Sequence, residues 1–149
     1  MKTIVTFGLA AIVLCVPAAL AGSVHLRTPL TSGEASRFVN HREASHNVLP
    51  PAQLEALSVW LEKHVSGWSG MVTPPSNETV ELDLALKQSN GADAWLVIVV
   101  KANGEHYLRL TTSADSVFES AGGLIKNSAA TRPLSDQDMT ELEKLTKLP

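Results

Sequence analysis

Two Asn-Gly pairs, Asn90-Gly91 and Asn103-Gly104, interrupt the apolar-rich stretch from Glu78 to Thr112. Asn-Gly is the strongest short-range hairpin signal, because both central residues of a type I′ turn need positive φ. The stretch therefore reads as three strands joined by two tight turns. Val80, Leu82, Leu84 and Leu86 alternate with Glu81, Asp83, Ala85 and Lys87, the period-two pattern of a half-buried strand. Trp95 to Val100 is continuously apolar, as a central strand covered on both faces would be, and His106 to Thr112 is the third strand.

Two-residue loops fix the register. Ser89 would face Ala92 and Ala102 would face Glu105, which sets Leu84 opposite Val97 and Val97 opposite Leu110. One face then collects Val80, Leu82, Leu84, Leu86, Trp95, Val97, Val99, Leu108 and Leu110, and must be covered. The other face carries Leu96, Ile98 and Val100 in a row, flanked by Asp83, Tyr107 and Arg109. Apolar patches rimmed by polar groups mark interaction sites, and Tyr and Arg are enriched among binding hot spots. These six residues, with Trp68 from the glycine-flanked loop, are the expected partner-binding set. The competing reading is that the N-terminal arm or the segment from Val117 to Ile125 folds over this face.

Helices supply the cover for the first face. Pro51 suits a first helical turn, where its missing N–H costs nothing. Leu54, Leu57, Leu61 and Val65 follow at helical spacing, and Ser66-Gly67 ends the run. Near the C-terminus Ser135 and Asp138 have capping-box spacing, Leu134 and Met139 occupy staple positions, and Met139, Leu142 and Leu145 form a stripe. Leu124-Ile125-Lys126 offers a fourth strand. The expected fold class is α+β: a three-stranded antiparallel meander, extended by that fourth strand where it forms, with two amphipathic helices packed on one face. In domain terms, residues 1–21 read as a signal peptide, 22–47 as an extended or mobile N-terminal arm, and 48–149 as a single α+β domain.

The signal reading rests on Met1-Lys2, the apolar run Ile4 to Val16, and Ala19-Leu20-Ala21 as a small-x-small cleavage site. The apolar run is short for a membrane span, which wants about 20 residues. Cleavage after Ala21 places the mature chain in the periplasm or outside the cell, with no stable membrane insertion. The one cysteine, Cys15, leaves with the signal, so disulfide scaffolds, thiol catalysis and cysteine metal sites are excluded. Removing Lys2 leaves 11 basic against 15 acidic residues, a formal charge of −4, with no basic cluster. Nucleic-acid binding is excluded on that ground.

Chemistry-bearing motifs are sparse. The polar stretch from His41 to His46 holds two imidazoles that suit copper or zinc, but without helical i, i+4 spacing or an accompanying cysteine. Ser66-Gly67-Trp68-Ser69-Gly70 lacks the strand–turn–helix setting of a nucleophile elbow. No phosphate-cradling loop or dinucleotide fingerprint is present, and no cofactor is expected. The sequence therefore points to a small exported non-catalytic binding module, an inhibitor or accessory factor for a protein or envelope component. Its rivals are a histidine-based periplasmic metal binder and a small secreted hydrolase.

Overall fold

A computed structural model describes residues 22–71, 77–112, 118–120 and 129–146. The signal segment and the expected strand Leu124 to Lys126 lie outside these residues. Among the described residues nine strands and two helices follow one another: β1 (Val24–Leu26), β2 (Leu30–Val39), β3 (Arg42–Val48), α1 (Pro51–Lys63), β4 (Ser69–Met71), β5 (Glu78–Gln88), β6 (Asp93–Lys101), β7 (His106–Thr112), β8 (Phe118–Ser120), β9 (Ala129–Pro133) and α2 (Asp136–Thr146). Seven of the strands form one sheet in the order β3-β2-β5-β6-β7-β9-β4, and β1 pairs with β8. Every pairing in the large sheet is antiparallel.

This overturns the expected three- or four-stranded meander under two helices. The protein is mostly β, and the β5-β6-β7 meander is only the middle of a sheet extended on both sides. On one side, β2 and β3 come from residues 30–48, whose polar composition hides a hairpin. On the other, β9 and the three-residue β4 are too short for any period to register in sequence.

The hairpin register is also corrected, with a physical reason. Both Asn-Gly loops contain three residues, not two. In the first, the Gln88 N–H donates to Ala92 O (3.1 Å) and the Gly91 N–H to Gln88 O (2.8 Å). In the second, the Lys101 N–H donates to Glu105 O (3.0 Å) and the Gly104 N–H to Lys101 O (2.9 Å). Only the glycines have positive φ, 84° at Gly91 and 85° at Gly104. This is a type I turn closed by a left-handed bulge residue, the usual three-residue hairpin. Asn90 Oδ1 accepts the Ala92 N–H and Asn103 Oδ1 accepts the Glu105 N–H, so each asparagine braces the loop instead of adopting the left-handed conformation itself.

Each extra loop residue slips the register by one, and a one-residue slip exchanges the faces of a strand. Two successive slips cancel for β7 but not for β6. Leu84 pairs with Leu96, and Leu96 with Leu110. Leu96 and Ile98 therefore join Leu82, Leu84, Leu108 and Leu110 in the core, while Trp95 turns outward. Val97 and Val99 are buried on the opposite face, apart from that core cluster.

The type I′ geometry occurs elsewhere. Val39 pairs with Arg42, and the intervening Asn40 and His41 have φ of 51° and 61°. A two-residue loop with both residues left-handed is the type I′ turn, closed here without a glycine.

Helix α1 begins at Pro51, with Pro50 at its N-cap, and lays Leu54, Leu57, Trp60 and Leu61 on the core. Its approach to β2 depends on Gly33. A Cβ there would come within 2.9 Å of Leu86, 3.0 Å of Leu54 and 3.2 Å of Leu49. Helix α2 starts on the anticipated capping box. The Ser135 N–H donates to Asp138 Oδ2 (3.0 Å), and the Asp138 N–H donates to Ser135 Oγ (3.1 Å). Leu142 is buried in the core cluster, and Leu134, Met139 and Leu145 pack against that cluster. Among the described residues no helix is long and apolar enough to cross a membrane.

Gly33→Val should destabilise the fold by about 2 kcal/mol through overpacking beneath α1, measured by denaturant unfolding. His41→Gly should stabilise it by about 0.5–1 kcal/mol, because glycine relieves the left-handed penalty that an L residue bears.

Candidate functional site

The corrected register divides the expected binding set between two faces. Leu96 and Ile98 are each 1% exposed and lie in the core. Val100 pairs with His106 and shares their side of the sheet. Asp83, Tyr107 and Arg109 lie on the outer face, where Asp83 pairs with Val97 and Val97 with Arg109. Trp68 is 1% exposed, donates its Nε1–H to His64 O (3.0 Å) and bridges Gly22. It closes the core beneath the end of α1 instead of projecting from its loop.

The outer face has a polar and an apolar part. Arg109 forms an ion pair with Glu78, and both side chains are largely buried. A bulge in β5 between Val80 and Leu82 makes that pair possible, because it returns Glu78 and Val80 to the outer face. The ammonium of Lys101 lies 3.8 Å from the Tyr107 ring centroid, and the Tyr107 hydroxyl donates to Glu105 Oε2 (3.0 Å). The Asn103 and Tyr107 side chains hold the Glu105 carboxyl below its ordinary range. Asp83 is less well served. Its Oδ1 is buried without a hydrogen-bond partner among the described residues. Burial pushes its carboxyl up, and the Arg109 charge opposes that shift only in part.

The apolar part centres on a residue that the two-residue register assigned to the core. Trp95 pairs with Ala85, which pairs with Glu34, which pairs with Val48. The four side chains thus form a row across four strands. Trp95 is 40% exposed and Val48 62% exposed, and they border a shallow depression of about 280 Å³ with Lys87 and Asp93 on its rim. Lys87 Nζ and Asp93 Oδ1 are 3.5 Å apart.

The histidines disperse. His41 occupies the β2–β3 turn, and His46 on β3 sits 3.0 Å from Ser36 Oγ and 4.0 Å from Glu34. They share no metal-capable cluster among the described residues. His106 pairs with Val100 and reaches Glu81 (3.3 Å).

A second concave region lies between the helices. A cleft of about 650 Å³ is lined by Val59, Trp60, Lys63 and His64 from the α1 end and by Ser135, Asp138, Glu141 and Lys144 from the α2 end. His64 stacks on Trp60 with ring centroids 3.9 Å apart. Its Nδ1 faces Trp60 O at 2.7 Å and its Nε2 faces Asp138 Oδ1 at 3.0 Å. The Trp60 Nε1–H donates to Glu141 Oε2 (2.9 Å), and Gln137 donates to Glu141 Oε1 (3.0 Å). Burial alone would raise the Asp138 carboxyl, but the Ser135 hydrogen bonds, Arg132 and His64 outweigh it and hold it low. Glu141 is also held low, chiefly by Gln137 and Trp60.

The sequence contained two clues to this cleft, the capping box at Ser135–Asp138 and a histidine at the end of α1. Their meeting, 74 positions apart in the chain, is a tertiary event that no local pattern reports.

No protein-family model matches the chain, and neither curated proteins nor solved structures give a significant match.

Asp83 yields a pH prediction. Its folded-state carboxyl is raised, so its contribution to stability is fully present below the ordinary value of 3.8 and is lost as pH rises through the raised value. Asp83→Asn removes that loss. The variant should be at least as stable as wild type at pH 7 and should show less decline between pH 4 and 7, read from urea midpoints across that range.

Proposed function

We propose that this chain is an exported, non-catalytic binding module that acts on a protein partner in the periplasm or outside the cell, as an inhibitor or accessory factor. The observation that carries the reading is Trp95, an aromatic side chain 40% exposed on the outer face of β6. A half-exposed Trp offers large rigid area at low entropic cost, and Trp is among the residues most enriched at hot spots. Val48 and Ala85 extend the contact, and the Lys87–Asp93 pair supplies a polar rim. Tyr107 stands on the same face and adds a second aromatic contact. Arg109 serves the face differently, because its guanidinium is committed to Glu78. The signal layout of the first 21 residues supports export.

The experiment is capture of partners from envelope extract by wild type, Trp95→Ala and Tyr107→Ala, with thermal unfolding as the check on folding. A protein retained by wild type should be lost from Trp95→Ala, a weakening of about 30-fold or 2 kcal/mol, and reduced on Tyr107→Ala. Equal recovery by wild type and Trp95→Ala, with both folded, rejects the surface.

A further inference from the structure

We propose that His64, Asp138 and Glu141 form a three-ligand site for a divalent transition metal of the zinc type at the cleft between α1 and α2. One ligand atom from each residue lies within 4.8 Å of the other two. Donors around a tetrahedral zinc are about 3.4 Å apart, given metal–ligand distances near 2.1 Å. Small side-chain rotations close the difference, and His64 Nε2 and Asp138 Oδ1 are already 3.0 Å apart.

The imidazole is set up for coordination by a group outside the triad. Trp60 O can only accept, so His64 Nδ1 carries a proton and donates to it at 2.7 Å. That fixes the ring orientation and leaves Nε2 as the nitrogen directed at the carboxylates, the arrangement by which an outer carbonyl orients a metal-ligating histidine. Stacking on Trp60 restricts the ring further. A metal takes the Nε2 lone pair, and any proton between Nε2 and Asp138 leaves to solvent as it binds.

The carboxylates are placed by helix periodicity. Asp138 and Glu141 are three residues apart on α2 and so share a face. Asp138 directs Oδ1 at His64, while the two Glu141 oxygens accept one hydrogen bond each, from Trp60 and from Gln137, and each keeps a second lone pair for a metal. The cleft opens to solvent, which provides the fourth position that three-residue zinc sites fill with water or an exogenous ligand. One imidazole and two carboxylates, with no thiolate, suit zinc, nickel or copper(II) better than copper(I). Arg132, at 3.4 Å from Asp138, and Lys63 and Lys144 on the walls oppose a cation, so the site should bind less tightly than one ringed by acids.

The test is calorimetric titration of the full chain with zinc chloride, and with cobalt(II) chloride followed by its visible d–d absorption. One equivalent should bind with a saturable isotherm, and cobalt should give bands of a four- or five-coordinate N/O site. His64→Ala and Glu141→Gln should each weaken zinc binding by at least about tenfold, the loss that even an outer hydrogen-bond partner of a ligand commonly causes. Glu141→Gln keeps the side-chain volume and a carbonyl for Trp60, so it separates ligation from folding. The double variant His41→Ala/His46→Ala removes the two β2–β3 histidines and should bind as wild type. Absence of saturable uptake of either metal overturns the proposal, as does uptake unchanged in both His64→Ala and Glu141→Gln.

Discussion

The fold turns on two pairs of backbone hydrogen bonds, Gln88 with Ala92 and Lys101 with Glu105, each closing a three-residue loop. They determine which way β6 faces, and β6 is the central strand of the large sheet. With three loop residues, Leu96 and Ile98 meet the core and Trp95 meets solvent. With two, those roles would be exchanged. The choice rests on a single conformation, the left-handed glycine that ends each loop. Gly91 and Gly104 accept that conformation without strain, and the preceding asparagines secure the loops with their side chains instead of their backbones.

Around that sheet the two sides are built by different means. The inner side is apolar and closed by α1, whose approach over β2 is permitted by the missing side chain at Gly33. The outer side mixes a buried Arg109–Glu78 pair, buried valines and an exposed tryptophan. Its polar groups are unequally satisfied, with Arg109 paired to Glu78 and Asp83 left with a buried oxygen. Such unevenness is what a sheet face shows when burial and exposure meet on it.

Much of this was legible in the chain. Period-two alternation located β5, helical spacing located α1, and the capping box at Ser135 located α2, because each is a local signal repeated over several residues. The faces of β6 were not legible, because Trp95 to Val100 is apolar at every position and offers no alternation to choose between registers. Turn chemistry had to decide, and Asn-Gly serves both the two-residue loop and the three-residue loop with a bulge. The β2–β3 hairpin was hidden for the opposite reason. Its strands are polar, and its Asn40-His41 turn carries no glycine to mark it. Of the expected binding set, Asp83, Tyr107 and Arg109 share a face, whereas Leu96 and Ile98 were assigned to it only through the mistaken loop length.

Helix α2 stands in a particular relation to the rest of the chain. It reaches Trp60 through Glu141, Asn47 through the Thr146 carbonyl, and Arg37 through Glu143, partners 81, 99 and 106 positions earlier. Loop-closure entropy rises only with the logarithm of such separations, so long connections are inexpensive, but they form after the elements they join. Most of these contacts are polar and near the surface, while the sheet rests on buried leucines. A partial opening in which α2 detaches while the sheet stays paired would break these polar contacts and expose Leu142. That detachment takes away one wall of the interhelical cleft, so whatever occupies that cleft slows amide exchange in α2 before it changes exchange in the central strands.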